Sequence, residues 1–327
     1  MSERLQYRLF HEDDLPGVLR LWEAESGWGA ITAEQWRKWY VDTPLGPCLV
    51  TVAVDGAGQI AAQKVFTPAR LVIDGQEQRA LRISAPILRQ DVRRRSMRNP
   101  NHPIIGLFLA AAAAAREAGY SVMYSLPEHS WLPFFRWGPR IGLPTFAPAE
   151  YPCVAAEIAP VASPAWAAAG LTARPETEFG SEYDALWQSA QRSFPIGCGV
   201  ARDVAWMRFK NRGHLTLAVR QADGALAGYV AIRKQTALVV DLLARRPDEL
   251  TAVLAAALDW LAGAREQGAL GGITQLKAMA TPLLGPTLHA LDFAPIAYQF
   301  AFVCTPLDTA LSPATIAPER WYVNPGD

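Results

Sequence analysis

The chain of 327 residues says much the same thing twice. Residues 27–39 read GWGAITAEQWRKW and residues 197–209 read GCGVARDVAWMRF, so Gly27, Gly29, Trp36 and Lys38 match Gly197, Gly199, Trp206 and Arg208. Other pairs keep the same order: Leu21 and Trp22 match Leu186 and Trp187, GQIAA at 58–62 matches GALAG at 224–228, and AREAG at 115–119 matches AREQG at 264–268. The offset shrinks along the chain, which implies shorter loops in the second copy. A period this long is a whole domain rather than a solenoid unit of about 20–50 residues. The expected division is a first domain at 1–160, an Ala/Pro-rich linker at 161–174 and a second domain at 175–327.

Composition allows two packed cores. Hydrophobic residues make up 50% and charged residues 19%, which is globular rather than disordered. A net charge of zero gives no global attraction to nucleic acid or anionic lipid, and neither is expected as a partner. Cys48, Cys153, Cys198 and Cys304 show no C-x-x-C spacing, so buried free thiols in a reducing compartment are expected, and no metal. The apolar run at 104–115 is shorter than the roughly 20 residues a bilayer-spanning helix needs. The first residues, MSERLQYRLFHEDD, have no apolar signal core. These features point to a soluble cytoplasmic protein, as a monomer or homodimer.

Local patterns give each copy the same order of elements. The first is expected to run as a strand at 5–10, a helix from about 13 and a glycine loop at 26–30. A helix carrying Trp36 and Trp39, a strand at 49–54 and two hairpins follow. Next come a polar loop at 89–101, a helix at 104–117 closed by Gly119, a strand at 121–126 and a short aromatic helix at 131–137. The second copy repeats this, with strands at 215–220, 227–232, 237–243, 273–279 and 298–304 and a long helix at 248–265. The fold class is α+β: two tandem domains, each a mixed, mostly antiparallel sheet flanked by helices.

In this order, and in the phrases TAEQWRKWYVDTPLGP (32–47), 82–95 and SLPEHSWLPFFRWG (125–138), the chain resembles tandem two-domain members of the GNAT acyltransferase superfamily. The resemblance implies acetyl-CoA or another acyl-CoA as co-substrate and a small-molecule amine, such as an amino sugar, as acceptor. It implies that the pantetheine arm adds to a strand edge and that the pyrophosphate sits at the N-terminus of the long helix. On this sequence the coenzyme would follow Leu88, Arg93, Arg94, Arg95 and Ser96 in the first copy, with the second copy degenerate. The usual glycine-rich turn is missing: 93–100 reads RRRSMRNP, and the second copy has two acids in RRPDE at 245–249. Five arginines between 89 and 98 suit a phosphate grip made of side chains. A solvated loop, or a patch for RNA or an acidic partner, would use the same residues.

Acylation of an amine needs a base and an acid. Where the resemblance implies an acidic tyrosine, this chain has Phe134 and Phe135. Candidate catalytic groups are Glu25 before the glycine loop, Glu128 and His129 after the fifth strand, and Asp241, a carboxylate inside the apolar run ALVVDLL whose pKa is expected to be raised. Solvated or packing roles, and for Asp241 a buried pair with an arginine such as Arg208, are the plain alternatives. Trp28 and Trp131 are candidates for lining an acceptor pocket, whereas Trp36 and Trp206 recur in the repeat and suit a core. Beside an N-acyltransferase, two readings remain: a binding or regulatory protein on a retired enzyme fold, and an aminoacyl-tRNA-dependent transferase.

Overall fold

In the computed structural model of the chain, residues 5–94, 99, 101–160, 170–194, 196–211 and 213–327 are described. The chain divides into two compact units. The first holds Met1–Leu71, Gln76–Ala149 and Ala301–Pro318; the second holds Val72–Gly75, Glu150–Phe300 and Glu319–Asp327. The first division thus falls at 149, inside the strand Ala147–Glu157, rather than at the expected 160. Residues 301–318, expected in the second domain, belong with the first, because Val303–Pro306 pair antiparallel with Ser125–Val122. Of the expected linker, 161–169 lie outside the described residues, and 172–174 are strand.

The first unit begins with strand β1 (Gln6–Leu9) and helices α1 (Leu15–Glu25) and α2 (Ala33–Tyr40). Thr32 starts α2 with a reciprocal cap: its hydroxyl accepts from the Gln35 N–H, and the Gln35 side chain accepts from the Thr32 N–H. Strands β2 (Leu49–Val54), β3 (Ile60–Ile73), β4 (Gln76–Ile83) and β5 (Ile87–Leu88) follow. One turn of helix, α3 (Gln90–Arg93), precedes the long helix α4 (Pro103–Glu117). Strand β6 (Val122–Ser125) and helix α5 (Leu132–Trp137) complete the consecutive part.

The sheet order is β1-β2-β3-β4-β6, extended by β14 (Ala294–Pro306), whose residues from Ala301 onward belong to this unit. Period-2 alternation along β2 sorts the cores. Val50, Val52 and Val54 pack with α1 and α2 around Trp22 and Trp36, while Ala53 faces α4 and α5 around Phe108, Phe134 and Phe135. Gly106 marks where α4 lies against β1, since a Cβ there would run into the Tyr7 ring. Its role is packing, not contact with a phosphate.

The second unit contains most of β7 (Ala147–Glu157), then β8 (Thr172–Glu176), α6 (Glu182–Ser193), β9 (Cys198–Val200) and α7 (Val204–Lys210). Strands β10 (Leu215–Arg220), β11 (Leu226–Arg233) and β12 (Leu238–Ala244), helix α8 (Leu250–Glu266), β13 (Gln275–Met279) and α9 (Gly285–Ala290) come next. A short strand, β15 (Trp321–Tyr322), pairs parallel with β9. The sheet order is β7-β13-β12-β11-β10-β8.

Trp206 is buried near the start of α7, as Trp36 is in α2, and Asp203 caps α7 as Thr32 caps α2. The matched glycines differ, however. Gly27 and Gly29 are left-handed, at φ +77° and +79°, whereas Gly197 and Gly199 are not, and Gly199 lies inside strand β9.

Candidate functional site

Among the described residues, each unit has a pair of parallel neighbours along its main strand order, and the two pairs end differently. In the first unit β4 and β6 run together through Ala80↔Val122, Leu81↔Met123 and Arg82↔Tyr124. Beyond that they part. The β4 side continues through Ser84, Ala85 and Pro86, and β5 then pairs with β3 instead, at Ala62↔Leu88 and Gln63↔Ile87. The β6 side continues through Leu126, Pro127 and Glu128. Between them lies a cleft of about 670 Å³ whose walls include Arg82, Ser84, Ser125, Glu128 and Trp131. Two parallel strands that separate leave backbone donors and acceptors without a sheet partner along the opening, which suits an extended polar ligand.

In the second unit the parallel pair is β12 and β13, joined at Leu238↔Lys277. Here residues 321–327 take the edge. The Gly326 N–H donates to the Val240 carbonyl at 2.8 Å, and the Tyr322 hydroxyl donates to the Leu242 carbonyl. A Cβ on Gly326 would come within 2.6 Å of that Val240 oxygen, so glycine is what lets the two backbones touch.

Lys64, on β3, lines the first unit's cleft and is only 3% exposed. Its Nζ donates to the Ser84 carbonyl at 2.7 Å and stands 4.6 Å from the Phe108 ring centroid, with Phe66 and Trp131 at 5.7 and 6.0 Å. Burial pushes its pKa down to about 7. Sequence reasoning passed over this lysine. The signal was present: Gln63 and Lys64 interrupt an apolar strand just as Asp241 does.

The sequence candidates scatter. Glu128 and Trp131 line the cleft, and Arg93 is at its edge. His129 is exposed in the turn between them and is not among the lining residues. Leu88 is buried in the core against α4. Arg94 is exposed, and Arg95 and Ser96 lie outside the described residues. Trp28 stacks 5.5 Å from Trp22, is 71% exposed and does not line the cleft.

Glu25 is engaged elsewhere: its carboxylate accepts from the Gln90 N–H at 2.9 Å and from Arg93 at 2.8 Å. It caps α3 and anchors the start of the arginine loop. Arg89 is likewise tied, to Asp55 and Asp91 at 2.7 Å each, which holds both carboxyls below their usual range. The N-terminus of α4 is enclosed by buried His102, whose Nδ1 accepts from the Ile104 N–H, so this end is not bare.

Asp241 overturns an expectation. It is fully buried, but its pKa is lowered, not raised. Burial alone would raise it; Arg202 at 3.0 Å, Lys210 at 3.1 Å and the Tyr229 hydroxyl at 2.7 Å outweigh that. Arg202 and Lys210 also hold buried Asp327, both at 2.6 Å. Two cations and two carboxylates make a closed network, so Asp241 stays ionised as a structural ion rather than a base. The partners are Arg202 and Lys210, not Arg208, which donates to the Phe179 carbonyl.

Among the described residues no group of three or more His, Cys, Asp or Glu could hold a metal ion, and no helix is long and apolar enough to cross a membrane. No protein-family model and no curated protein matches the sequence.

Solved structures do resemble it. A GCN5-related N-acetyltransferase from Anabaena variabilis ATCC 29413 superimposes with a TM-score of 0.64 at 13% identity, over 93% of this chain and 73% of that one. A Saccharomyces cerevisiae N-myristoyltransferase with bound myristoyl-CoA gives 0.56 at 12% identity, over 93% and 80%. A tandem GNAT protein from the clavulanic acid biosynthesis pathway gives 0.53 at 13% identity, over 93% and 99%. The α+β order, the parallel pair that parts in the first unit and these superpositions agree: the chain has the fold of the GNAT N-acetyltransferase superfamily.

Proposed function

We propose that the chain is an acyl-CoA-dependent acyltransferase that moves an acyl group onto an amine of a small molecule, with the thioester held in the first unit's cleft. The observation that carries this reading is the parting of β4 from β6 after Arg82 and Tyr124. A pantetheine arm is an extended diamide and would pair along 84–86 and 125–128 as an added strand does. Attack of the amine on the thioester is direct, with no acyl-enzyme.

Arg93 lines the cleft, exposed Arg94 is next to it in sequence and Arg95 follows, so these arginines would meet the coenzyme phosphates. With no glycine turn, side-chain forks supply the donors. The second unit serves as scaffold, since residues 321–327 already cover its corresponding strand edge. A soluble, cytoplasmic protein acting as a monomer or homodimer fits this role.

Thermal unfolding with acetyl-, malonyl- and long-chain acyl-CoA tests the reading. A donor at about 100 times its Kd stabilises by about 2.7 kcal/mol. The Arg93, Arg94 and Arg95 triple alanine variant is expected to lose most of that shift. No shift with any donor would leave the retired-enzyme reading, in which the fold serves only to bind something else.

A further inference from the structure

Buried charges in this protein are of two kinds. Arg202, Lys210, Asp241 and Asp327 neutralise one another. Among the described residues Lys64 has no carboxylate partner. Its contacts are one carbonyl oxygen, Ser84 O, and the faces of Phe66, Phe108 and Trp131. An ammonium has three donors, so two remain beyond the Ser84 bond. The other charged groups on the cleft wall are Arg82, Arg93 and Glu128. None of them contributes to the shift of Lys64, which burial alone produces.

The position matters as much as the burial. Ser84 is the first residue after β4, at the vertex where the strands part. Lys64 therefore anchors the floor of the cleft at the point where an added strand would have to end. Across from it, α5 presents Phe134 and Phe135, both buried, so this short helix offers no hydroxyl acid.

We propose that Lys64 is the proton carrier of the cleft: its ammonium protonates the coenzyme sulfur as the thioester C–S bond breaks, and it then takes back a proton from the acylated nitrogen. The proposal rests on the acyl-CoA reading above. The balance is as follows. A neutral acceptor amine, its ammonium proton already lost to solvent, forms the C–N bond and pushes the carbonyl electron pair onto oxygen. That pair returns to re-form C=O as C–S breaks. Lys64 gives one proton to the departing sulfur, which leaves as the thiol. The extra proton on the new amide nitrogen returns to Lys64, and the enzyme ends as it began.

The match of acidities supports this. A free alkyl thiol of the cysteine type has a pKa of about 8.5, so a donor that titrates near 7 passes its proton downhill to the thiolate. An ordinary exposed lysine, at about 10.4, would not.

Two variants test it. Lys64→Arg keeps the positive charge and can still donate to Ser84, but it holds its proton at every working pH. Lys64→Met keeps the length without charge. Acyl-CoA affinity is read by calorimetry, and turnover as thiol release from acetyl-CoA with a panel of primary amines and with water alone. In the wild type, the kcat profile is expected to fall above a limb near pH 7. In both variants the limb should vanish and kcat should drop roughly 100-fold or more, with acyl-CoA affinity changed less than about threefold. If Lys64→Arg keeps wild-type kcat and the limb, the site needs only a cation and the proposal is wrong. If Lys64→Met does so, it needs not even that. A wild-type protein that binds no acyl-CoA overturns the functional reading and this step with it; binding with unchanged variants overturns only the step.

Discussion

Glu25 holds Arg93. Its carboxylate accepts from the guanidinium at 2.8 Å and, with its other oxygen, from the Gln90 N–H at 2.9 Å, so the end of α1 caps the turn that begins the arginine loop. A group committed to two donors is a structural anchor. Glu25→Ala is expected to lower stability by about 1 kcal/mol, the usual effect of losing a cap. Urea denaturation reads this. The pH dependence of turnover should stay where it was; a displaced limb would return Glu25 to the catalytic candidates.

Lys64 makes stability depend on pH in a direction opposite to most lysines. Folded, it loses its proton near 7; unfolded, only near 10.5. Between these values the unfolded chain binds more protons, so unfolding free energy rises with pH, by up to about 1.4 kcal/mol per unit for one proton. Below about pH 7 both states are charged and the full burial penalty applies. Lys64→Met is therefore expected to be more stable than the wild type at pH 6 and to lose that advantage as the pH approaches 10. Denaturation midpoints at several pH values, taken as wild type minus variant, isolate the effect.

The closed network around Arg202 predicts a steep loss for any single break. Asp241→Asn leaves Arg202 and Lys210 facing one carboxylate, and an uncompensated buried charge typically costs about 3–5 kcal/mol. The pH sign is the same as for Lys64, in a more acidic window. Asp241 is held below its unfolded value of 3.8, so its contribution is whole above that pH and drains away as the pH falls toward the folded value. Acid titration by circular dichroism should show the wild type losing stability in that window and Asp241→Asn lacking this component.

Gly106 offers a test by paired substitution. A methyl group there would press on the Tyr7 ring, and overpacking of this kind costs about 1–3 kcal/mol. Gly106→Ala should destabilise; adding Tyr7→Ala should recover part of the loss relative to Tyr7→Ala alone, by thermal melts of the four proteins. Strict additivity would mean that the two residues do not meet.

Strands and helices were legible wherever periodicity spoke. Strands 49–54 and 215–220 came out as read, because each is a short apolar run between turns. What the letters concealed was non-local. Nothing in the residues at 301–306 says that they pair with 122–125, since pairing depends on which edge is open, not on local propensity. The glycine match between 27–29 and 197–199 joins two uses of glycine: left-handed turns in one copy, and room for the Arg320 and Ile196 side chains in the other. Asp241 was rightly singled out as a buried carboxylate, but its pKa depends on Arg202 and Lys210, which are distant in sequence. Lys64 was missed for a related reason. A lysine in a strand reads as an edge or a solvated face, and only the tertiary structure shows that its end reaches a cleft rather than water.

Residues 321–327 give the second unit a resident peptide where the first has an open edge. Tethered to its own target, such a segment competes at an effective concentration on the order of millimolar or above. A free ligand with micromolar affinity, present at micromolar levels, cannot displace it. The chain thus fills the opening beside β12 with its own residues, and a covalent occupant turns that half into masonry. On the acyl-CoA reading proposed above, selection can act on that half for strength alone.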